Sequence, residues 1–337
     1  MYSIRRSFLI LTACLVSLPA TAQQVSQFRP VATYSIVARD SLTGQMGVAV
    51  QSHWFSVGPI VPWAKAGVGA VATQSFIEPA YGPLGLELMA TGRSAPDAMK
   101  ALRSTDEGEA VRQVAMVDAQ GRVAAHTGSR AIFAAGHQTG AQYSVQANMM
   151  ERESVWPAMA AAYESAEGDL ADRLLAALDA AQAEGGDIRG KQSAAMLIVP
   201  AEASNNPWND FVFNLRIEDH PEPLKELRRL VRLQRAYNAM NAGDGYMTTN
   251  DIESALAEYD FALSLLPDEA TNGEAAFWVG VTLVEAGDEP GALPYLKRAY
   301  QQDTRWAKLL TRLPASELLP EDDALIERLV ASMKTSN

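Results

Sequence analysis

TYSIVARDSLTGQMGVAVQS, residues 33–52, reads as two short apolar strands around the turn Asp40-Ser-Leu-Thr-Gly44. A turn this short joins antiparallel neighbours, because parallel strands need a long crossover. Centring the turn between Leu42 and Thr43 pairs Thr33 with Ser52, so the open end of the hairpin carries two hydroxyls. Ser35 shares a face with Thr33 but lies further into the sheet, since side chains alternate along a strand.

Working outward, strand-like runs follow at Tyr34–Ala38, Met46–Val50, Val68–Ala72, Val111–Val117, Arg122–His126, Tyr143–Gln146 and Ala194–Val199. The pieces SIVA, GVAV, VGAVA and AAMLIV are apolar at consecutive positions, which marks strands covered on both faces. Helical spacing occurs at Leu84–Met89, Pro96–Leu102, Val155–Tyr163 and Leu170–Ala183, where Leu170, Leu174, Leu175 and Leu178 form one stripe. Two antiparallel sheets packed face to face with helices outside each, a four-layer αββα stack within the α+β class, satisfy this pattern. A doubly wound parallel sheet is the alternative, although no helix separates the first two strands.

The chain has 337 residues, with 48% apolar and 20% charged, an ordinary globular composition that predicts two units. Arg5 and Arg6 precede the apolar run Phe8–Leu18, and Ala20-Thr21-Ala22 supplies small residues, the pattern of a secretory signal over residues 1–22. Cleavage there leaves Gln23 first and directs the protein to the periplasm or the exterior. LTAC ending at Cys14 also resembles a lipobox, a weaker alternative because apolar residues continue beyond it. Cys14 is the only cysteine, so a mature chain without it has no disulfide, thiolate metal site or cysteine nucleophile. No later run is long enough to anchor the mature chain in a bilayer.

Net charge is −12, with 17 acids against 15 bases up to Pro200 and 23 against 13 from Ala201. An acidic surface argues against nucleic acid or an anionic membrane as partner. His53, His126, His137 and His220 lack ligand spacing, and neither a metal nor a cofactor is expected. The run GVGAVA is a packed strand and not a phosphate loop, because no GxxxxGK follows.

After the expected first domain, residues 23–204, Asn205–Asp210 reads as a loop leading out, and residues 205–235 as a linker with a connecting helix. In residues 236–337, Gly243, Tyr246, Ala255, Tyr259 and Ala262 recur at one constant offset as Gly280, Leu283, Ala292, Leu296 and Ala299. These are the spacings of the tetratricopeptide repeat, a helix pair in which small residues permit close approach. Two repeats bury little alone, so a cap at Trp306–Met333 and the preceding helix around Leu230 are expected to complete the core.

Four blocks, TYSIVARD…TGQMGVAVQS, VGPIVPWAKAGVGAVATQ, YSVQANM and GGDIRGKQSAAMLIV, together resemble the bacterial domain-of-unknown-function 1028 family, placed in the N-terminal-nucleophile (Ntn) hydrolase superfamily. The resemblance covers Thr33 to about Val199 and implies the αββα fold. The tail resembles an extension of some members that is described as peptidoglycan-binding. In the superfamily the first residue of strand one, freed by processing, is the nucleophile. A threonine hydroxyl needs a base within reach, and a terminal α-amine of pKa about 7.7–8.0 can serve.

The resemblance implies Thr33 as nucleophile, Ser52 as its strand-two partner and Asp187 as the supporting aspartate. It implies a backbone oxyanion donor at Thr73 or Gln74, and polar neighbours at Gln146 and Asn148. Arg189, Gln192 and Ser193 share the Asp187 block. Ala147 departs from the glycine expected there, and Lys65 lies too far along to take the place of the superfamily's tuning lysine. The plainer alternatives are β-propensity for Thr33, a satisfied buried hydroxyl for Ser52 and a turn with an internal ion pair around Asp187.

Three functions follow as expectations: an exported amidohydrolase acting on a small amide or peptide, an inactive scaffold whose repeats bind a peptide or protein, and a cell-wall binder. The sequence leaves oligomeric state open, a homo-oligomer included.

Overall fold

A computed structural model describes residues 30–204 and 206–335. The expected signal segment, with Cys14 and Gln23, lies outside the described residues. Strands β1 (Thr33–Arg39) and β2 (Met46–Ser52) form the expected hairpin, with Thr33 opposite Ser52. Asp40 builds the turn: its carboxylate accepts from the backbone N–H groups of Leu42 at 2.9 Å and Thr43 at 2.7 Å, and from the Thr43 hydroxyl at 2.9 Å. Gly44 takes the left-handed φ of 72° that brings the chain back.

Burial pushes the Asp40 carboxyl up, but the Thr43 and Leu42 donors and the Arg173 guanidinium outweigh it and hold the group below its usual value. Because the carboxylate accepts three hydrogen bonds that close the turn, Asp40→Ala is expected to cost about 1–2 kcal/mol at neutral pH. Because the folded value is the lower one, the stabilisation is complete above the unfolded carboxylate range of about 3.9 and fades as pH falls through the folded value. Urea midpoints of the two proteins should differ at pH 7 and converge in acid.

Two antiparallel sheets contain all ten strands of the described residues. The six-stranded sheet runs β10 (Phe213–Ile217), β9 (Ser193–Val199), β2, β1, β8 (Tyr143–Asn148), β7 (Gly136–Gly140). The four-stranded sheet runs β3 (Pro62–Lys65), β4 (Gly69–Ser75), β5 (Arg112–Asp118), β6 (Val123–Thr127). Val37, Val48, Val50, Ala72 and Ala115 meet in one apolar cluster where the sheets face each other. Helices α3 (Val155–Ser165) and α4 (Leu170–Ala183) cover the outer face of the six-stranded sheet, where Tyr34, Ile36, Leu174 and Leu178 share a core. Helices α1 (Tyr81–Ala90) and α2 (Ala95–Arg103) cover the other sheet through Tyr81, Met99, Val71 and Met116. Each buried leucine of the α4 stripe contributes about 1.5–3 kcal/mol of apolar burial.

The reading of residues 205–235 as a linker gives way here. β10 pairs with β9 as an edge strand, alternating buried Phe213 and Ile217 with exposed Asn214 and Arg216. Helix α5 (Pro223–Met247) follows and seats Leu224, Leu227 and Val231 in the sheet core.

The helical region continues with α6 (Ile252–Leu265), α7 (Glu274–Glu285), α8 (Glu289–Gln302), α9 (Arg305–Leu310) and α10 (Asp323–Met333). The recurring small residues mark close approaches: a Cβ on Gly243 would lie 2.7 Å from Tyr259, and one on Gly280 would lie 2.6 Å from Leu296. Ala255, Ala262, Ala292 and Ala299 are buried, whereas Tyr246 is 40% exposed and fills no groove. Leu310, Leu329 and Met333 of the last two helices close the second core.

Candidate active site

Alternation along β1 aims Thr33 and Ser35 into the space between the sheets, and register sets Ser193, Ser52, Thr33 and Asn148 side by side on four adjacent strands. The facing sheet brings Gln74 and Gln113, paired across β4 and β5, to the same level. An apolar sandwich thus ends in a buried polar corner.

Before β1 the chain crosses between sheets. Val31 pairs antiparallel with Ser75 at the end of β4, donating to its carbonyl at 2.7 Å and accepting from its amide at 3.1 Å. Val31, Ala32 and Thr33 are fully buried. The Ala32 carbonyl accepts from the Ser52 hydroxyl and from Nη2 of Arg189, the latter at 3.2 Å. The Thr33 hydroxyl lies 3.2 Å from Ser52 Oγ and 3.0 Å from the Val31 carbonyl, either of which can take its single proton. The carbonyl of Thr33 itself accepts from Nε2 of Gln74 at 3.2 Å and Nδ2 of Asn148 at 3.4 Å. Both carbonyls flanking the Thr33 amide are therefore gripped by side chains, and the first of them is gripped by a cation.

Asp187 stands behind this grip. It accepts from Nε and Nη2 of Arg189 at 3.1 and 3.0 Å, from the Arg189 amide at 2.9 Å and from the His53 amide at 2.8 Å. It does not touch Thr33; it orients the guanidinium and holds the chain leaving β2. Gln146 sits one rank deeper, donating to Ser35 Oγ at 2.6 Å while Ser35 donates to Gln74 Oε1 at 2.6 Å.

Other expected residues hold neighbouring structure. Thr73 faces away from the corner, its amide bonded to the Val61 carbonyl at 3.1 Å and its hydroxyl to the Glu78 carbonyl at 3.0 Å, so it is no oxyanion donor. Gln74 reaches Thr33 through its side chain. Ser193 ties down the loop after β2 by bonding the Trp54 carbonyl and accepting from the Val57 amide at 3.2 Å. Gln192 bonds Asp219 at 3.2 Å. Lys65 is exposed at the end of β3.

Gln113 is the residue the sequence reading passes over. Its Oε1 accepts from Gln74 at 2.7 Å and Asn148 at 2.9 Å, and its Nε2 reaches Thr127 Oγ1 at 2.9 Å and the Ala147 carbonyl at 2.8 Å. A glutamine inside the apolar run QVAMV is the signal that could have identified it.

Two non-glycine residues in left-handed backbone flank the corner, Ser75 at φ 70° and Met149 at φ 57°. Such conformations persist where surrounding contacts enforce them. Ser75 Oγ and Asn148 Oδ1 are buried without a hydrogen-bond partner. On the outer side Arg189 lines a cleft of about 440 Å³ with His53, Trp54, Phe55 and Gln192. One guanidinium thus reaches both the cleft and the carbonyl before Thr33.

A sequence family described as "Family of unknown function (DUF1028)" matches residues 33–227. The crystal structure of protein SPO2555 from Silicibacter pomeroyi, described with the same DUF1028 family, is 33% identical and superposes with a TM-score of 0.52 over 59% of this chain and 87% of that one. No curated protein matches.

Proposed function

The chain belongs to the DUF1028 family, whose function is unknown, and from that premise we propose that it is an exported Ntn-type amidohydrolase whose nucleophile is Thr33. In this reading the two sheets and their flanking helices are the four-layer αββα stack of that superfamily. The helical tail is a tetratricopeptide-like pair with a cap, offering a surface to a peptide, protein or cell-wall partner.

The observation that carries the reading is the grip on the Ala32 carbonyl by Ser52 and Arg189 beside the Thr33 hydroxyl. Attack of Thr33 Oγ on that carbonyl carbon puts negative charge on an oxygen already facing an O–H donor and a guanidinium, the arrangement that lowers such barriers. The C–N bond then breaks to an ester, water cleaves the ester, and Thr33 is left with a free α-amine. Among the described residues no lysine, histidine or carboxylate accepts from the Thr33 hydroxyl, so its proton is relayed through Ser52 and handed to the departing Thr33 nitrogen as the C–N bond breaks, and scission is slow. Once free, the α-amine supplies the base for later turnovers. Substrates are amides, with chemistry drawn from the site and not from the fold.

One observation favours a second reading. The continuous, buried segment Val31–Thr33 bridges the two sheets, which suits an uncut, inactive scaffold with binding repeats. The N-terminus of protein exported by its native host decides between them. A mature chain that begins at Thr33 supports the hydrolase; a functional chain that still carries Gln23–Ala32 excludes it.

A further inference from the structure

The two residues before Thr33 occupy their slot as a substrate would. Val31 makes both hydrogen bonds of an antiparallel pair with Ser75, extending the four-stranded sheet past the end of β4. Peptides bind to sheet edges in this way, with main-chain bonds giving affinity and side-chain space giving selectivity. The Ala32 carbonyl then falls on Ser52 and Arg189 with the Thr33 hydroxyl alongside. Main-chain pairing and carbonyl placement together fix one register.

The side-chain space is equally defined. Ala32 is fully buried, so its position takes a methyl group and little more. Val31 is fully buried in the inter-sheet cluster with Val61 and Ile77, a site for a valine-sized apolar group. Ser75, which supplies the pairing edge, is held at φ 70°, and its hydroxyl is buried without a partner. Strained backbone of this kind collects at functional sites and ligand clamps. The strain and the unmatched hydroxyl are intelligible where that residue presents its main chain to an exchangeable strand.

Resting on the reading of Thr33 as a freed nucleophile, we infer that the substrate is a peptide laid as a short strand along Ser75, cleaved after a small residue such as alanine that follows a valine-sized residue. The leader is the first such peptide the site meets. In turnover the bond from Thr33 Oγ to the substrate carbonyl carbon forms and the hydroxyl proton passes to the Thr33 α-amine. The peptide C–N bond breaks, and the leaving amine takes that proton. Water then splits the ester, giving its proton through the same amine and restoring the hydroxyl as the product carboxylate departs.

The test uses the mature chain beginning at Thr33 with three fluorogenic amides: one ending in Val-Ala before the reporter, one ending in Phe-Leu, and a simple acetyl amide. The Val-Ala peptide should be cleaved with a kcat/KM at least about tenfold above the others, the discrimination expected when a pocket rejects extra carbons. Turnover that ignores the acyl residues overturns the inference and leaves Thr33 as nucleophile. No turnover of any amide, or a chain never freed at Thr33, removes the hydrolase reading and this inference with it. Calorimetry on the same chain carrying Thr33→Ala as its first residue adds an arm without chemistry. A free peptide ending in Val-Ala should bind and one ending in Phe-Leu should not; equal binding, or none by either, also overturns it.

Discussion

Thr33→Ala is expected to leave the chain joined between residues 32 and 33 under conditions in which the unmodified protein is cut. Without an Oγ nothing can attack the Ala32 carbonyl, so the loss should be complete within the time of measurement. Thr33→Ser, which keeps an oxygen in the same place, should still cut. Arg189→Met removes the cation from the carbonyl but keeps a flexible apolar stem. Loss of one oxyanion donor typically costs about 10²–10³ in rate, and a slowing of that order is expected. Intact mass followed over time after purification reads all three variants. Scission that continues in Thr33→Ala would belong to another protease, and the corner would then be structural.

Gln113→Leu should have the largest effect on stability. The substitution keeps approximate volume but removes the oxygen that receives Gln74 and Asn148 and the nitrogen that serves Thr127 and Ala147. Each buried group left without a partner costs about 1–3 kcal/mol, and the partners here belong to one network, so the costs do not simply add. A loss of about 3–4 kcal/mol is expected in urea unfolding. Ser35→Ala removes two bonds within the same network and should cost less. A change below about 1 kcal/mol for Gln113→Leu would mean that the buried amides find other partners.

What the sequence discloses about this corner follows the reach of local rules. The hairpin register was legible because Asp40 and Gly44 specify the turn, and once the turn is centred Thr33 must face Ser52. Doubly covered strands were legible because SIVA and GVAV leave no polar face. β7 escaped because Gly136–Gly140 is polar and rich in glycine, an exposed edge without hydrophobic periodicity. β10 escaped although FNLRI alternates, since a proline and asparagines just before it suggested departure from the domain. The site divides in the same way. Thr33 and Ser52 are neighbours through the hairpin register and could be found on paper, whereas Asn148 was implied only by the family resemblance and meets Thr33 because β8 pairs with β1. Gln113 and the Arg189 grip depend on how two sheets and a distant loop meet, and no spacing encodes that. Thr73, offered with Gln74 as a backbone donor, has its amide taken by the Val61 carbonyl, a partner brought in by the chain before β3 that no pattern within AVATQ encodes.

Helix α5 spans both halves of the molecule without interruption. Its first turns carry Leu224, Leu227 and Val231 into the core beneath the six-stranded sheet, and its later turns carry Ala236, Ala239 and Met240 into the core shared with α6 and α7. A rod embedded at both ends has no swivel. The tail cannot sample orientations as a tethered module does, and melting either core strips one end of the same rod of its packing. The helical tail is consequently held to the sheets at a fixed bearing, as a tool in a vice and not a weight on a string.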